Sequence, residues 1–220
     1  MGPDSSSRTA RARGAPLWLV AADVVAKALL LVAVARVAVD PTWGNLEGKA
    51  PGTRAVAYPL LALTVPLLHA WRPRGRYPWL ADLLVTAPAF SDILGNRLDL
   101  YDGVSWFDDF MHFANTAALS AGVVLLAGAA RDPLLRRMEL AVAWGLTFSL
   151  TWEVWEYVAF VTRFDEIGTA YADTVWDLGL GWCGAVLAAL LTGPVGSRHE
   201  SALSPALVDA RRPVASRDGG

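Results

Sequence analysis

The sequence predicts an all-α polytopic membrane protein, a bundle of six transmembrane helices with both termini in the cytoplasm. Its 220 residues are 54% hydrophobic and only 18% charged, a composition too apolar for an ordinary soluble domain. The apolar residues form long blocks rather than the narrow stripe of a surface helix. The basic residues concentrate in alternate loops, as the topology of a membrane protein requires.

Six blocks of the sequence approach the length of about 20 mostly apolar residues with which a helix crosses a bilayer. They cover residues 17–39, 55–71, 77–95, 107–130, 138–161 and 173–192. We therefore expect one transmembrane domain over residues 16–195. The flanking segments, 1–15 and 196–220, are rich in Ser, Gly, Pro and Arg, and this composition predicts disorder.

Basic residues set the predicted topology. The N-terminal segment, the loops after the second and fourth blocks, and the C-terminal segment together carry 13 of them. The opposite side carries four, namely Lys49, Arg54, Arg97 and Arg163. Because positively charged residues stay on the cytoplasmic side, we expect both termini there. The arginines lie in short loops and tails rather than on one folded face, so nothing supports nucleic-acid binding.

With this topology, the last three blocks each carry acidic residues near the extracytoplasmic end. The residues are Asp108, Asp109 and His112 in the fourth block, Glu153 and Glu156 in the fifth, and Asp173 and Asp177 in the sixth. Spacings of three and four place them on shared helical faces. On the sixth helix that face continues with Gly181 and Gly184, and glycines let another helix approach closely in a bilayer.

An acidic layer at this depth needs compensation. One ionised residue in the hydrocarbon costs about 2.5–3.5 kcal/mol even on a lenient scale, so the carboxylates require protons, water or a cation. Clustered carboxylates with one histidine suit a divalent ion such as Mg²⁺, Mn²⁺ or Zn²⁺. We predict the metal ligands to be Asp108, His112, Glu153, Glu156 and Asp177.

Asp109 or Asp173 is then the candidate general base of a catalytic site. Helix capping is the plainer interpretation for single residues: Asp108 or Asp109 at the start of the fourth helix, and Asp173 at the start of the sixth. Capping does not explain acids that lie further along their helices, such as Glu153 and Asp177.

The acidic motifs occur in a characteristic order. They are Asp-Asp-x-x-His-Phe at 108–113, Trp-Glu-x-x-Glu at 152–156, Asp-Thr-x-Trp-Asp-Leu at 173–178 and Gly-Ala at 184–185. This order resembles the YjdF-type family of bacterial inner-membrane proteins and, more remotely, the VanZ-like proteins. The resemblance implies a bacterial plasma-membrane protein with six helices, and it marks the same five residues as the predicted ligand set. VanZ-like members are associated with glycopeptide resistance, which points to the cell envelope.

One position departs from the remote pattern. If Asp177 aligns with the first acid of the last VanZ-like motif, Gly181 stands where those proteins have Asn. A polar ligand at that step is then missing or replaced by Asp173. The resemblance implies no particular reaction, because function inferred from fold analogy is associational.

Three functions are compatible with these residues. The first is a metal-assisted enzyme that acts on a lipid or lipid-linked envelope substrate from the outer leaflet. The second is a proton- or cation-coupled transporter, with the same acids as proton or cation sites. Against it, no trail of polar residues continues from these acids into the cytoplasmic half beyond Asp23 and Lys27. The third is a structural or accessory protein whose acids pair with Arg97 and Arg163. The sequence specifies neither the substrate nor the oligomeric state.

Overall fold

The computed structural model describes residues 14–73, 75–159 and 169–201, the last eight by their backbone alone. Within these ranges the chain is all-α. The helices are α1 (Leu17–Val39), α2 (Pro51–Trp71), α3 (Trp79–Arg97), α4 (Leu100–Gly103), α5 (Phe107–Leu126), α6 (Leu134–Ala159) and α7 (Ala170–Ser201), with short 3₁₀ helices at Pro41–Gly44 and Ala129–Arg131. The six long helices correspond in order to the six predicted blocks.

Three of the long helices are long and apolar enough to cross a membrane. They are Leu17–Val39, Phe107–Leu126 and Ala170–Gly193. The other three are of sufficient length but carry more polar residues, many of which face the interior: Arg54 on α2, Asp92 on α3 and Glu153 on α6 are all buried. The count of six spans and the cytoplasmic termini therefore stay predictions.

Helix boundaries differ from the predicted blocks for local reasons. α2 begins four residues before the second block, because Pro51 occupies the first helical turn, where its missing N–H is harmless. α5 ends at Leu126 rather than at residue 130, and Gly128 follows with a φ of 70° that turns the chain out of the helix. Of the two predicted disordered segments, residues 1–13 and 202–220 lie outside the described part of the chain.

The bundle has two halves joined through α3 and α5. α1, α2 and α3 pack on one another and enclose an apolar cluster that includes Leu30, Ala62 and Ile93. α5, α6 and α7 pack on one another around a second cluster that includes Val124 and Ala141. Large apolar side chains cover much of the outside, as lipid-facing surfaces do.

Small residues bring α5, α6 and α7 close together. A Cβ atom on Gly184 would overlap the backbone carbonyl of Phe113 on α5, and one on Gly181 would lie 2.6 Å from the Oγ of Ser149 on α6. The prediction that this glycine face packs inside the bundle is confirmed. As a result the start of α5, the end of α6 and the start of α7 meet at one end of the bundle, which we call the site end.

Candidate functional site at the site end of the bundle

The imidazole of His112 is the centre of a cluster of carboxylates. Its Nε2 atom lies 3.6 Å from Oδ1 of Asp108 and 3.8 Å from Oδ2 of Asp177. Its Nδ1 atom lies 3.5 Å from Oε1 of Glu153. The ring therefore presents one nitrogen to acids from α5 and α7 and the other to an acid from α6.

The helices position these side chains through simple periodicity. Asp108 precedes His112 by four residues on α5, so the two side chains share one face. Asp177 lies two turns into α7 and Glu153 two turns before the described end of α6. His112, Glu153 and Asp177 are buried, whereas the side chain of Asp108 is 47% exposed. The cluster is thus buried on three sides and open beside Asp108.

The distances leave space between the polar atoms. All three exceed the length of a hydrogen bond, and Oε1 of Glu153 and Oδ1 of Asp177 have no hydrogen-bond partner among the described residues. Leaving such an atom buried and unpaired costs about 1–3 kcal/mol, and more when the group is charged. A tetrahedral zinc ion with bonds of about 2.1 Å holds its ligand atoms roughly 3.4 Å apart. The spacing around Nε2 is close to that value.

Two overlapping groups of residues could hold a metal ion. One comprises Asp108, His112 and Asp177, the other His112, Glu153 and Glu156, with the ligand atoms of each group within 4.8 Å of one another. The structure therefore brings together all five residues that were predicted as ligands. Which of them bind an ion stays a prediction.

The two predicted general bases lie at the edge of this cluster. Asp109 is half-buried on α5, and Asp173 is exposed in the first turn of α7. Neither belongs to either of the two groups. This placement does not test their catalytic role, which stays a prediction.

The cluster contains more acidic than basic groups. Within the described ranges, the only basic side chain within 4.0 Å of its carboxylates is His112 itself. Arg97, a predicted partner for these acids, instead lies over the ring of Trp43, 5.2 Å from the centroid. The second predicted partner, Arg163, lies outside the described residues.

A second buried cluster lies at the site end. The sequence placed Asp92 and Asn96 in the same acidic layer but did not predict their pairing with Arg54 and Tyr58. Arg54 of α2 donates to Asp92 of α3 through Nε (2.8 Å) and Nη2 (3.3 Å), and Tyr58 donates to the same carboxylate at 2.6 Å. Asn96 adds a donor at 3.3 Å. The sequence offered one signal: Arg54 with Tyr58, and Asp92 with Asn96, are each four residues apart and so share a helical face.

A cavity of about 410 Å³ is lined by residues of both clusters, among them Arg54 and His112. Its lining comes mainly from α2, α3, α5 and α6. Tyr101 lines its site end. Burial raises the pKa of the Tyr101 phenol, and the nearby carboxylates of Asp92 and Asp108 raise it further, so this group stays a hydrogen-bond donor.

Asn115 lies three residues after His112 on α5 and contacts α3. Its Oδ1 accepts a hydrogen bond from Ser91 of α3 at 3.0 Å, and the residue lines the cavity. Asn115 therefore ties α5 to α3.

Comparison with known proteins identifies the family. The profile of DUF2238, described as "Predicted membrane protein (DUF2238)", matches residues 23–198. The chain belongs to this family and is a membrane protein with several helical spans. No curated protein and no solved structure matches the chain. The likeness to YjdF-type and VanZ-like proteins stays a prediction.

Proposed function

We propose that this member of the DUF2238 family is a metal-assisted enzyme that acts on a lipid or lipid-linked envelope substrate. In this proposal six helices span the plasma membrane of a bacterium, and the site end faces the extracytoplasmic side. One observation carries it: buried carboxylates surround His112, and two of their oxygen atoms lack hydrogen-bond partners among the described residues. A divalent cation would satisfy these atoms and offset their charge.

The two nitrogens of His112 suggest how the ligands divide. An imidazole that binds a metal through one nitrogen commonly donates its other N–H to a carboxylate, which fixes the ring. We assign Nε2 of His112, Asp108 and Asp177 to the metal, and Glu153 as the acceptor for Nδ1–H. Glu156, half-buried beside Glu153, supplements this outer group. This division narrows the five predicted ligands to three.

Three protein ligands leave a coordination position for substrate. Catalytic zinc sites have this form, whereas structural sites are closed by four protein ligands. An ion held there supplies Lewis acidity toward a phosphoryl or acyl oxygen. The exposed side of the cluster lies next to Asp108, and Asp109 and Asp173 flank it as the candidates for proton transfer.

The surroundings favour a membrane substrate. The cluster lies among helices whose outer surfaces are apolar, and a largely apolar cavity adjoins His112. Such a site is reached more readily by an amphiphile from the bilayer than by a water-soluble metabolite. Lipids and lipid-linked envelope precursors carry the phosphoryl and acyl groups on which a divalent ion acts.

The test uses the full chain in proteoliposomes made from a bacterial lipid extract. Lipid composition is followed by mass spectrometry after addition of Zn²⁺, Mn²⁺ or Mg²⁺ and, separately, of a chelator. Glu139→Gln is a matched control, because Glu139 is 54% exposed and pairs with Arg136 at the other end of α6. We expect a metal-dependent change in one lipid class with the parent and the control, and none with His112→Ala. The same change with His112→Ala, or no change with any ion, would overturn the proposal.

A cation- or proton-coupled transporter is the second candidate, and buried hydroxyl groups favour it. Thr116 and Ser120 continue the face of His112 toward the other end of the bundle, and Ser149 lies one turn below Glu153. The Oγ atoms of Ser120 and Ser149 have no hydrogen-bond partner in the described part of the chain. The polar face thus reaches deeper into the bundle than the sequence analysis allowed.

A polar cluster at the opposite end of the bundle also supports a transporter. Lys27 lies 2.5 Å from Asp23 and 2.7 Å from Asp82, and Tyr77 donates a hydrogen bond to Asp82. The experiment measures flux into proteoliposomes under an imposed gradient, followed by the signal of a pH-sensitive dye. Transport predicts flux that is lost in Asp177→Asn and retained in Glu139→Gln. Equal signals from the parent and empty vesicles would exclude it.

A further inference from the structure

The two ends of the cavity beside His112 differ in polarity. Its lining on three helices covers residues 53–61 on α2, 108–119 on α5 and 148–155 on α6. These stretches span about two to three helical turns, or roughly 10–16 Å along the bundle axis. At one end lie Arg54, His112 and Trp155, and at the other Leu61, Leu119 and Phe148. The cavity is therefore charged at the site end and mostly apolar in its depth, where Thr116 and Ser149 are the polar residues of the lining.

The dimensions suit one hydrocarbon chain. A volume of 410 Å³ lies within the usual range of ligand sites, about 300–1,000 Å³. Spread over roughly 10–16 Å of length, it corresponds to a mean cross-section of roughly 25–40 Å². A narrow apolar cavity of this kind fits a chain laid along the helices better than a broad polar head group.

The cavity is open toward the bilayer between α2 and α6. α2 packs on α1 and α3, and α6 packs on α5 and α7. Among the described residues, α2 contacts α6 through Arg54. Its guanidinium lies over the rings of Trp152 and Trp155, 5.7 and 4.8 Å from their centroids. Below this contact, exposed residues such as Ala57 and Thr151 line the cavity. A chain can thus enter sideways from the hydrocarbon.

We propose that this cavity binds one hydrocarbon chain of a membrane lipid, with the lipid's polar head beside Asp108 and His112. The orientation matches a lipid of the leaflet at the site end, whose head lies at that surface and whose chain points toward the midplane. Arg54 lines the same end of the cavity, but it is already paired with Asp92 and does not need the lipid head as a counter-ion. The polar head therefore reaches the open side of the His112 cluster.

This inference rests on the proposed function for what happens to the lipid head, but not for the binding of the chain. The apolar part of the cavity and its opening contain none of the proposed metal ligands. Chain binding is therefore expected in the presence of a chelator. Loss of metal dependence with chain binding intact would contradict the proposed function alone.

The experiment is photolabelling of the full chain in nanodiscs of phosphatidylethanolamine and phosphatidylglycerol. Phosphatidylethanolamine carries a diazirine either close to the glycerol or in the middle of one acyl chain, and labelled residues are mapped by peptide mass spectrometry. We expect the mid-chain probe to label Leu61, Leu119 and Phe148. We expect the probe near the glycerol to label Thr53 or Trp155. This depth pattern needs no variant.

A matched pair of variants separates the cavity from the outer surface. Leu61→Trp fills the cavity, whereas the neighbouring Leu60 is 59% exposed and Leu60→Trp adds the same bulk outside. Labelling of Leu119 by the mid-chain probe should be lost in Leu61→Trp and kept in Leu60→Trp. Labelling confined to outward residues such as Leu60 and Leu150, or labelling of Leu119 that is equal in both variants, would overturn the inference.

Discussion

Two buried charge clusters lie at the same end of the bundle, and they differ in how well each is balanced. Asp92 is surrounded by donors from Arg54, Tyr58 and Asn96, so one cation and one anion satisfy each other. Around His112, several carboxylates share one imidazole, and two of their oxygen atoms lack a partner among the described residues. Burial alone does not distinguish a structural ion pair from a site; the balance of charge and hydrogen bonds does.

The largest expected effect comes from breaking the balanced cluster. Asp92→Asn leaves the guanidinium of Arg54 buried, 4% exposed, without its counter-ion. Removing one partner of a buried pair typically costs about 3–5 kcal/mol of folding free energy. We expect that loss in denaturant titrations of the detergent-solubilised protein, with no change in metal binding at the His112 cluster. The double variant Arg54→Met/Asp92→Leu should recover part of the stability. An Asp92→Asn protein as stable as the parent would contradict the structural role of this pair.

A smaller effect is expected from the helix packing that holds the His112 cluster together. Gly184→Ala places a Cβ against the α5 backbone at Phe113, whereas a Cβ at Gly179 on the same helix meets nothing within 4 Å. Overpacking typically costs about 1–3 kcal/mol. We expect Gly184→Ala to lower both the thermal stability and the metal affinity, and Gly179→Ala to match the parent. Equal behaviour of the two variants would show that α5 and α7 are further apart than described.

The smallest expected effect on folding comes from the unbalanced cluster itself. Glu153→Gln replaces a buried acid, whose Oε1 lacks a hydrogen-bond partner among the described residues, with a neutral amide, so the metal-free protein should be as stable as the parent or slightly more so. If Glu153 orients His112, metal affinity should fall about 10–100-fold while the saturating stoichiometry is unchanged. Titration with Zn²⁺ monitored by calorimetry measures both quantities. Loss of stoichiometry would instead make Glu153 a ligand, as the sequence analysis predicted.

The His112 cluster was predictable because its spacing is local. Asp108 and His112 are four residues apart, and the other acids lie at matching depths on helices that follow directly in the sequence. The pairing of Arg54 with Asp92 was not predictable in the same way. These residues are 38 positions apart, and their contact depends on the register between α2 and α3, which hydropathy does not determine.

The roles of Asp109 and Asp173 show a second limit of the sequence. Asp109 follows Asp108 by one residue, which rotates it by about 100° around the helix axis. Asp173 shares the face of Asp177, but it lies in the exposed first turn of α7. Periodicity identifies a shared face, whereas burial depends on where neighbouring helices end.

Polar residues also explain why only three of the described helices have the hydropathy of a membrane span. α2, α3 and α6 carry the polar residues that the clusters need, and these three helices fall short of the composition of a membrane span. Buried polar side chains of these helices face the interior of the bundle, Arg54 toward Asp92 and Glu153 toward His112, and large apolar residues are exposed on the outside. A window average cannot separate the two faces of a helix.

The central claim, that the unbalanced cluster binds a divalent ion, is tested most directly by metal content. The purified protein is stripped with chelator, dialysed against Zn²⁺, Mn²⁺ or Mg²⁺, and measured by elemental mass spectrometry. We expect about one ion per chain in the parent and in Glu139→Gln, and none in His112→Ala/Asp177→Asn. No metal in the parent after any ion is restored, or equal metal in the double variant, would contradict the account.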